Sequence, residues 1–562
     1  MTAAFPLFSV AHYHHECILI LGLPDQRAKD THSMQKAHWL YSWQAIILAA
    51  LLFPPLGLVL LWMRPSTRLS RKILNSVYIS ALGVFYLYRF FGLRAEIDGS
   101  GIFPMFSFQR KDEAHYADLE RHRARQGQLP PVAGSIEDVP FTRKTDTPEA
   151  KAQVPEESAP RKPPTPVETP RVTSKLGGVY WTDFRGPRRD GHYDEMEVLA
   201  NWPADGPPLL WRQPIGGGYA SFVVANGRAF TIEQRRQQEA VAAYDLETGR
   251  ELWTESWNAE FRESMGGDGP RATPTWNEGR VYSLGALGEF RCLDARTGKV
   301  IWSRNILRDN DAENLQWGMS AAPLVVDDKV IVLPGGRSGK SIVAYDKVTG
   351  EPIWKALDDK QAYTSPMVVT LAGQRQLLVV SAKRVMGLTV EDGKLLWDFP
   401  WETSYDINSA QPLIVSENRF LISAGYGHGA ALVEVTTSGG GFSARAIWQN
   451  VSLKNKFNSS VLYQGHAYGL DEAILTCIDV ATGERKWKGG RYGYGQLLLA
   501  SGHIIVLTES GDLALVKAIP DQHIELARFS AIEGKTWNHP AIASGLLLVR
   551  NTTQMACFKI SP

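Results

Sequence analysis

Residues 242–253 read AAYDLETGRELW, and the same pattern returns four times: RCLDARTGKVIW (291–302), VAYDKVTGEPIW (343–354), MGLTVEDGKLLW (386–397) and TCIDVATGERKW (476–487). The alternating residues before Asp predict a strand with one buried face. Asp-x-x-Thr-Gly then predicts a tight turn: Asp and Thr oxygens accept nearby backbone N–H groups and Gly takes a positive φ. A second alternating strand follows, and its Trp is placed to pack against a neighbouring unit. Upstream of each copy an inner strand, a Gly turn and another strand recur, as in ATPTWNEGRVYSLG (272–285).

Each unit therefore holds four strands. Trp211, Trp253, Trp302, Trp354, Trp397, Trp448 and Trp487 are spaced about 46 residues apart, the length of one propeller blade. With a degenerate copy near Phe529 the outer strands number eight. The last inner strands, near 537–560, lack an outer strand, and the strand near 209–213 lacks inner ones. Pairing the two closes the ring and removes its open edge. The expectation is an all-β, eight-bladed propeller over residues 175–562.

Composition agrees with a repeat protein. The 562 residues include 50 Gly and 17 Trp, the residues of the turn and of the outer strand. A formal charge of +1 supplies no field for nucleic acid, so none is expected as a partner. The four cysteines, Cys17, Cys292, Cys477 and Cys557, form no CxxC or CxxCH and make no disulfide framework. The last three fall at equivalent strand positions of non-neighbouring blades and are expected to be buried thiols.

The N-terminal third is different. Residues 43–62 (WQAIILAALLFPPLGLVLLW) carry no charge, and residues 73–92 carry only Arg89. Two transmembrane helices are expected across 43–92, with Trp at the interfaces. The loop between them holds Arg64, Arg68, Arg71 and Lys72, which by the positive-inside rule makes it cytoplasmic. The expected location is then a bacterial inner membrane, two-pass, with the propeller on the periplasmic side. Residues 1–42 form a separate segment in which Met34 is an alternative start. His12, His14, His15, Glu16 and Cys17 within it match no structural zinc spacing. Residues 93–174 predict a short hairpin around Asp98-Gly99, a charged surface helix over 112–125 and a linker. Seven prolines in 148–170 keep that linker extended.

The turn-and-Trp repeat resembles the tryptophan-docked repeats of the pyrroloquinoline quinone (PQQ) propeller superfamily. That group includes quinoprotein dehydrogenases and the β-barrel assembly factor BamB. The segments WTDFRGPRRDG (181–191) and QWGMSAAP (316–323) look like its bacterial PQQ-binding-like members. Only Trp397-Asp398 supplies the dipeptide of a WD40 propeller. For an enzyme, the resemblance implies a Ca²⁺ ligand set with an Asp base, a Trp platform and often adjacent cysteines. No Cys-Cys pair is present.

Aligning the blades puts Tyr219, Arg271, Ser320, Tyr363, Ser409, Phe457, Tyr494 and Trp537 at the starts of the innermost strands, facing the central funnel. Asp268, Trp317, Asp406, Asn408, Asn458, Asn538 and His539 fall nearby. Aromatic rings with Arg and Asn suit a flat anionic ligand. The same rings also suit plain filling of a channel mouth. No catalytic residue, nucleophile elbow, Walker loop, HExxH or Ca²⁺ loop is found. Two functions follow. One is a monomeric, membrane-anchored, non-enzymatic propeller that binds a ligand or presents a face to a protein partner, with no cofactor and no metal. The other is a PQQ/Ca²⁺-dependent oxidoreductase. The helical anchor in place of a lipidated Cys argues against a BamB-type role in outer-membrane assembly.

Overall fold

The computed structural model describes residues 42–64, 67–91, 93–97, 104–108, 110–128 and 180–562. The His/Cys cluster, Met34, the Asp98-Gly99 turn and the proline linker lie outside them. The chain divides into two compact units, residues 1–93 and 94–562.

The larger unit is an eight-bladed propeller. Blades 1 to 6 occupy residues 223–258, 275–305, 324–356, 367–400, 413–450 and 461–491, each a four-stranded antiparallel sheet. Blade 7 (496–530) gains a fifth strand, His192–Tyr193, which runs parallel to its innermost strand Gln496–Ala500. Blade 8 is closed as the sequence requires. Its inner strands span 541–559, and Leu209–Pro214 pairs with Gln554–Lys559, Trp211 lying opposite Cys557.

The repeat explains how blades join. In blade 1 the Asp245 carboxylate accepts from the Thr248 N–H at 2.9 Å, and Asp294, Asp346 and Asp479 hold their turns in the same way. The turn glycine is then covered by the Trp of the preceding blade: a Cβ on Gly249 or Gly350 would lie 2.6 Å from the ring of Trp211 or Trp302. The Trp indole N–H donates into the same neighbour, from Trp211 to the Leu246 carbonyl, Trp253 to Ala295 and Trp448 to Val480. Packing and hydrogen bonding thus fall on one contact. Trp397 departs from the pattern because blade 5 replaces the turn with a long hairpin. Its indole donates instead to Gln376 of its own blade and its ring stacks on Phe420. Cys292, Cys477 and Cys557 are free and buried, and burial pushes the first two thiols up to about 12.

The charged helix (Arg110–Gly127) is not free on the surface. It docks where blade 8 meets blade 1: His122 bonds Gln213 at 2.8 Å, Arg123 donates to the Pro214 carbonyl, and Arg236 pairs with Glu113 and Glu120.

The smaller unit corrects the expected pair of spans. No helix among the described residues is long and apolar enough to cross a membrane. Residues 43–62 do not form one rod. They form α1 (Trp43–Leu52) and α2 (Pro54–Met63), followed by α3 (Leu69–Phe91). Pro54 and Pro55 lack the N–H groups that would continue α1, so the chain turns at Phe53. In one straight helix Trp43 and Arg64 would be ~31 Å apart. Here the Arg64 guanidinium lies 4.5 Å from the centre of the Trp43 ring. The two helices are therefore antiparallel.

Candidate functional site

The site is built from the two ends of the propeller axis. One end is plugged by residues 181–191. The Trp181 carbonyl accepts from Val224 N–H of blade 1, and the Thr182 carbonyl from Trp276 N–H of blade 2. Arg189 donates to the carbonyls of Ala322, Pro323 and Pro366 in and beside blades 3 and 4, and pairs with Asp183 at 3.0 Å. Arg185 donates to the carbonyls of Ser459 and Ser460 ahead of blade 6. Both arginines are almost fully buried, and burial pushes Arg185 down to about 10. Carbonyl dipoles therefore carry most of the compensation for a buried cation. This plug was quoted in the sequence only for its resemblance. Its spacing gives no sign that its partners lie far along the chain.

Above the plug is a cavity of about 400 Å³ with mainly apolar walls and Phe184 at its floor. Tyr219, Arg271, Trp317, Tyr363 and Trp537 line it, as do Ser320, Ser409 and Phe457. The rings form two groups. Tyr219, Trp537, Phe457 and Tyr494 follow one another at centroid distances of 5.6, 5.0 and 5.7 Å, and Trp317 faces Tyr363 at 5.8 Å.

Three cations stack on these rings. Arg271 lies over Phe261 and Tyr219, and donates to the Gly267 and Gly269 carbonyls. Lys535 lies 3.9 Å from the Trp537 ring centre and donates to the Gly266 carbonyl. Lys456 lies 4.4 Å from Tyr494 and 4.7 Å from Tyr426. The acidic groups near them hold the walls: Glu509 accepts from the Trp537 indole at 2.8 Å, and Glu263 from the Met265 and Gly266 N–H groups. Lys456 and Lys535 were missed in the sequence. They stand one and two residues before ring positions, and strand periodicity does not say where a long side chain reaches.

Five of the expected contacts are placed elsewhere. Asp268 accepts from Glu263 N–H and so braces its own loop. Asp406 pairs with Lys360 at 2.7 Å. Asn408 is buried and donates to the Ser381 and Trp401 carbonyls, while Asn458 accepts from Asn455 and Leu470 N–H. Asn538 likewise donates to Gly218 and Ala220 carbonyls. Amides that recur near strand starts in three blades are tying loops down, and that recurrence was the available signal. His539 reaches the wall but bonds the Leu497 and Pro540 carbonyls, and burial holds it down at about 3. A neutral imidazole carries one N–H, so in that form it donates to only one of these two carbonyls.

A Ca²⁺–quinone pair would need carboxylate ligands at the funnel. Among the described residues no three His, Cys, Asp or Glu side chains are grouped to hold a metal ion. The two acids expected at the funnel, Asp268 and Asp406, are engaged with Glu263 N–H and Lys360.

Comparison with known proteins gives two kinds of relative. Residues 237–489 match the family model described as outer membrane protein assembly factor BamB. BamB of Bordetella pertussis is 21% identical over 370 residues, covering 58% of this chain and 92% of that protein. The 1-butanol dehydrogenase (cytochrome c) of Thauera butanivorans is 33% identical over 185 residues, covering 31% of this chain but only 26% of the dehydrogenase. Among solved structures, BamB from Moraxella catarrhalis has a TM-score of 0.45 at 16% identity, covering 63% of this chain and 99% of its own. Quinohemoprotein alcohol dehydrogenase from Comamonas testosteroni has 0.49 at 14%, covering 67% and 80%. The eight observed blades make this a β-propeller, and its sequence is similar to those of BamB and of quinoprotein dehydrogenases.

Proposed function

We propose that this chain is a non-enzymatic binding propeller of the bacterial envelope, held at the extracytoplasmic face of a membrane. Its funnel takes a small planar ligand with an acidic edge. The observation that carries this reading is the aromatic-walled cavity with Arg271, Lys456 and Lys535 stacked on its rings. A cavity of this size suits a small molecule. The rings supply stacking area, and the cations favour a carboxylate at the ligand's edge.

The test is titration of the purified full chain with a naphthoate and with its neutral amide, followed by tryptophan fluorescence. The acid is expected to quench and the amide to bind at least ~10-fold more weakly, the ~1.4 kcal/mol that one lost charge contact represents. Trp537→Ala is expected to abolish the signal change. Equal binding of acid and amide, or no binding by either, overturns the ligand reading. Dye-linked alcohol oxidation on addition of PQQ and Ca²⁺ would establish the dehydrogenase reading in its place.

A second reading, docking of a partner protein, is favoured by Tyr405. This ring is 79% exposed, stands on a residue with φ 64°, and meets Tyr426 edge-on beside the cavity. Exposed aromatics of this kind anchor protein interfaces. The BamB relatives carry an assembly role in their name, which is consistent with such a partner.

A further inference from the structure

We propose that α1 and α2 form a re-entrant wedge in a lipid bilayer, entering tip-first at Phe53–Pro55 and leaving on the side where they entered. This rests on the membrane location proposed above and changes its topology.

The geometry of the hairpin comes first. Trp43 and Arg64 meet at one end, and Ala50 meets Gly57 near the other so closely that a Cβ on Gly57 would lie 2.6 Å from the Ala50 Cα. Each helix has ten residues. At ~1.5 Å per residue the hairpin is ~15 Å deep, about half of a ~30 Å hydrocarbon core.

The surface identifies the occupant. Ile47, Leu48, Leu52, Phe53, Leu56 and Val59 are 48–73% exposed, and they point outward from both helices rather than from one stripe. Ala45, Ile46, Ala50, Pro54, Gly57 and Leu61 are buried, and Ile46, Ala50 and Leu61 cluster with Ile79 of α3. A partner protein would cover one face, whereas hydrocarbon covers all of them.

Polar atoms are treated as hydrocarbon requires. Pro55 cannot donate to the Leu51 carbonyl, and the Tyr86 hydroxyl of α3 donates to it instead. The Trp62 indole N–H donates to Ser76, and Lys72 donates to the Trp62 carbonyl. Four basic residues gather at the open end, and a fifth, Arg89, stands in the last turn of α3 one turn beyond Tyr86. Arg64 stacks on Trp43, Lys72 lies 5.8 Å from the Trp62 ring centre, and Arg68 and Arg71 follow in sequence. Indoles with basic groups at one end fit an interface of anionic headgroups.

The test uses the full chain with Cys17→Ser and single cysteines at Gln44→Cys, Phe53→Cys or Met63→Cys, in right-side-out and inverted membrane vesicles. A membrane-impermeant maleimide is expected to label positions 44 and 63 in the same vesicle orientation and position 53 in neither. Labelling of 44 and 63 from opposite sides would overturn the wedge while leaving the membrane location standing. Labelling of 53 as fast as 44, with release of the chain by alkaline carbonate, would overturn the membrane location and the wedge together.

Discussion

Glu239 is the buried acid whose cost is most open to measurement. Its side chain is fully enclosed, one oxygen accepts from Ala286 N–H at 2.8 Å, and burial pushes it up to about 7. A carboxyl raised above its unfolded value binds its proton more tightly in the native state. Its contribution is therefore intact below about pH 4.5 and is lost as pH rises through 7. Glu239→Gln keeps the acceptor for Ala286 and removes the charge. The variant is expected to match the wild type in urea at pH 4 and to exceed it at pH 8 by about 2–3 kcal/mol. A difference that does not vary with pH would show that Glu239 is not the titrating group. Nothing in the sequence marks this acid, since it stands on an alternating strand like any outward-facing Glu. The funnel rings were legible because the blades align, although Tyr219, Tyr363, Phe457, Tyr494 and Trp537 lie two to four residues ahead of the innermost strands and not at their first positions. The asparagines beside them were not, because whether an amide faces a ligand or a backbone carbonyl depends on loops folded from other blades.

At the scale of the element, the blade contact rests on one glycine and one tryptophan. Gly350 has φ +73° and carries the Trp302 ring, while Gly279 has φ +76° and nothing within 4 Å of a Cβ. The two substitutions Gly350→Ala and Gly279→Ala share the backbone strain, which costs about 1 kcal/mol. Only the first also displaces an indole, and it is expected to lower the urea midpoint by at least twice as much. Equal losses would mean that Trp302 moves aside freely. This element was almost wholly legible because Asp-x-x-Thr-Gly acts within five residues of chain. The helical unit was legible only as apolar. Its length and lack of charge pointed to a span. What turns it into a hairpin is the Ala50–Gly57 approach, a close contact between helices that hydropathy does not encode.

For the whole molecule, ring closure depends on a strand made long before its partner. Leu209–Pro214 seals blade 8 against Gln554–Lys559. Placing two prolines in it, Arg212→Pro with Gln213→Pro, removes ladder donors and opens the ring. Unfolding of the propeller in urea is expected to pass from one transition to two, with blade 8 lost first. A single transition in the variant would show that the blades are coupled by the tryptophan contacts without the closing strand. The plug adds a requirement on timing. Arg185 is hydrogen-bonded to Ser459 and Ser460, 274 and 275 residues further on. At the usual ~5–20 residues per second the ribosome needs roughly 15–60 s to deliver those carbonyls. Through that interval Arg185 waits in water, while the carbonyl partners of Arg189 arrive earlier, 133 to 177 residues on. The pin is synthesised first and seated late, so a chaperone that shields the half-built ring would have a window set by translation speed.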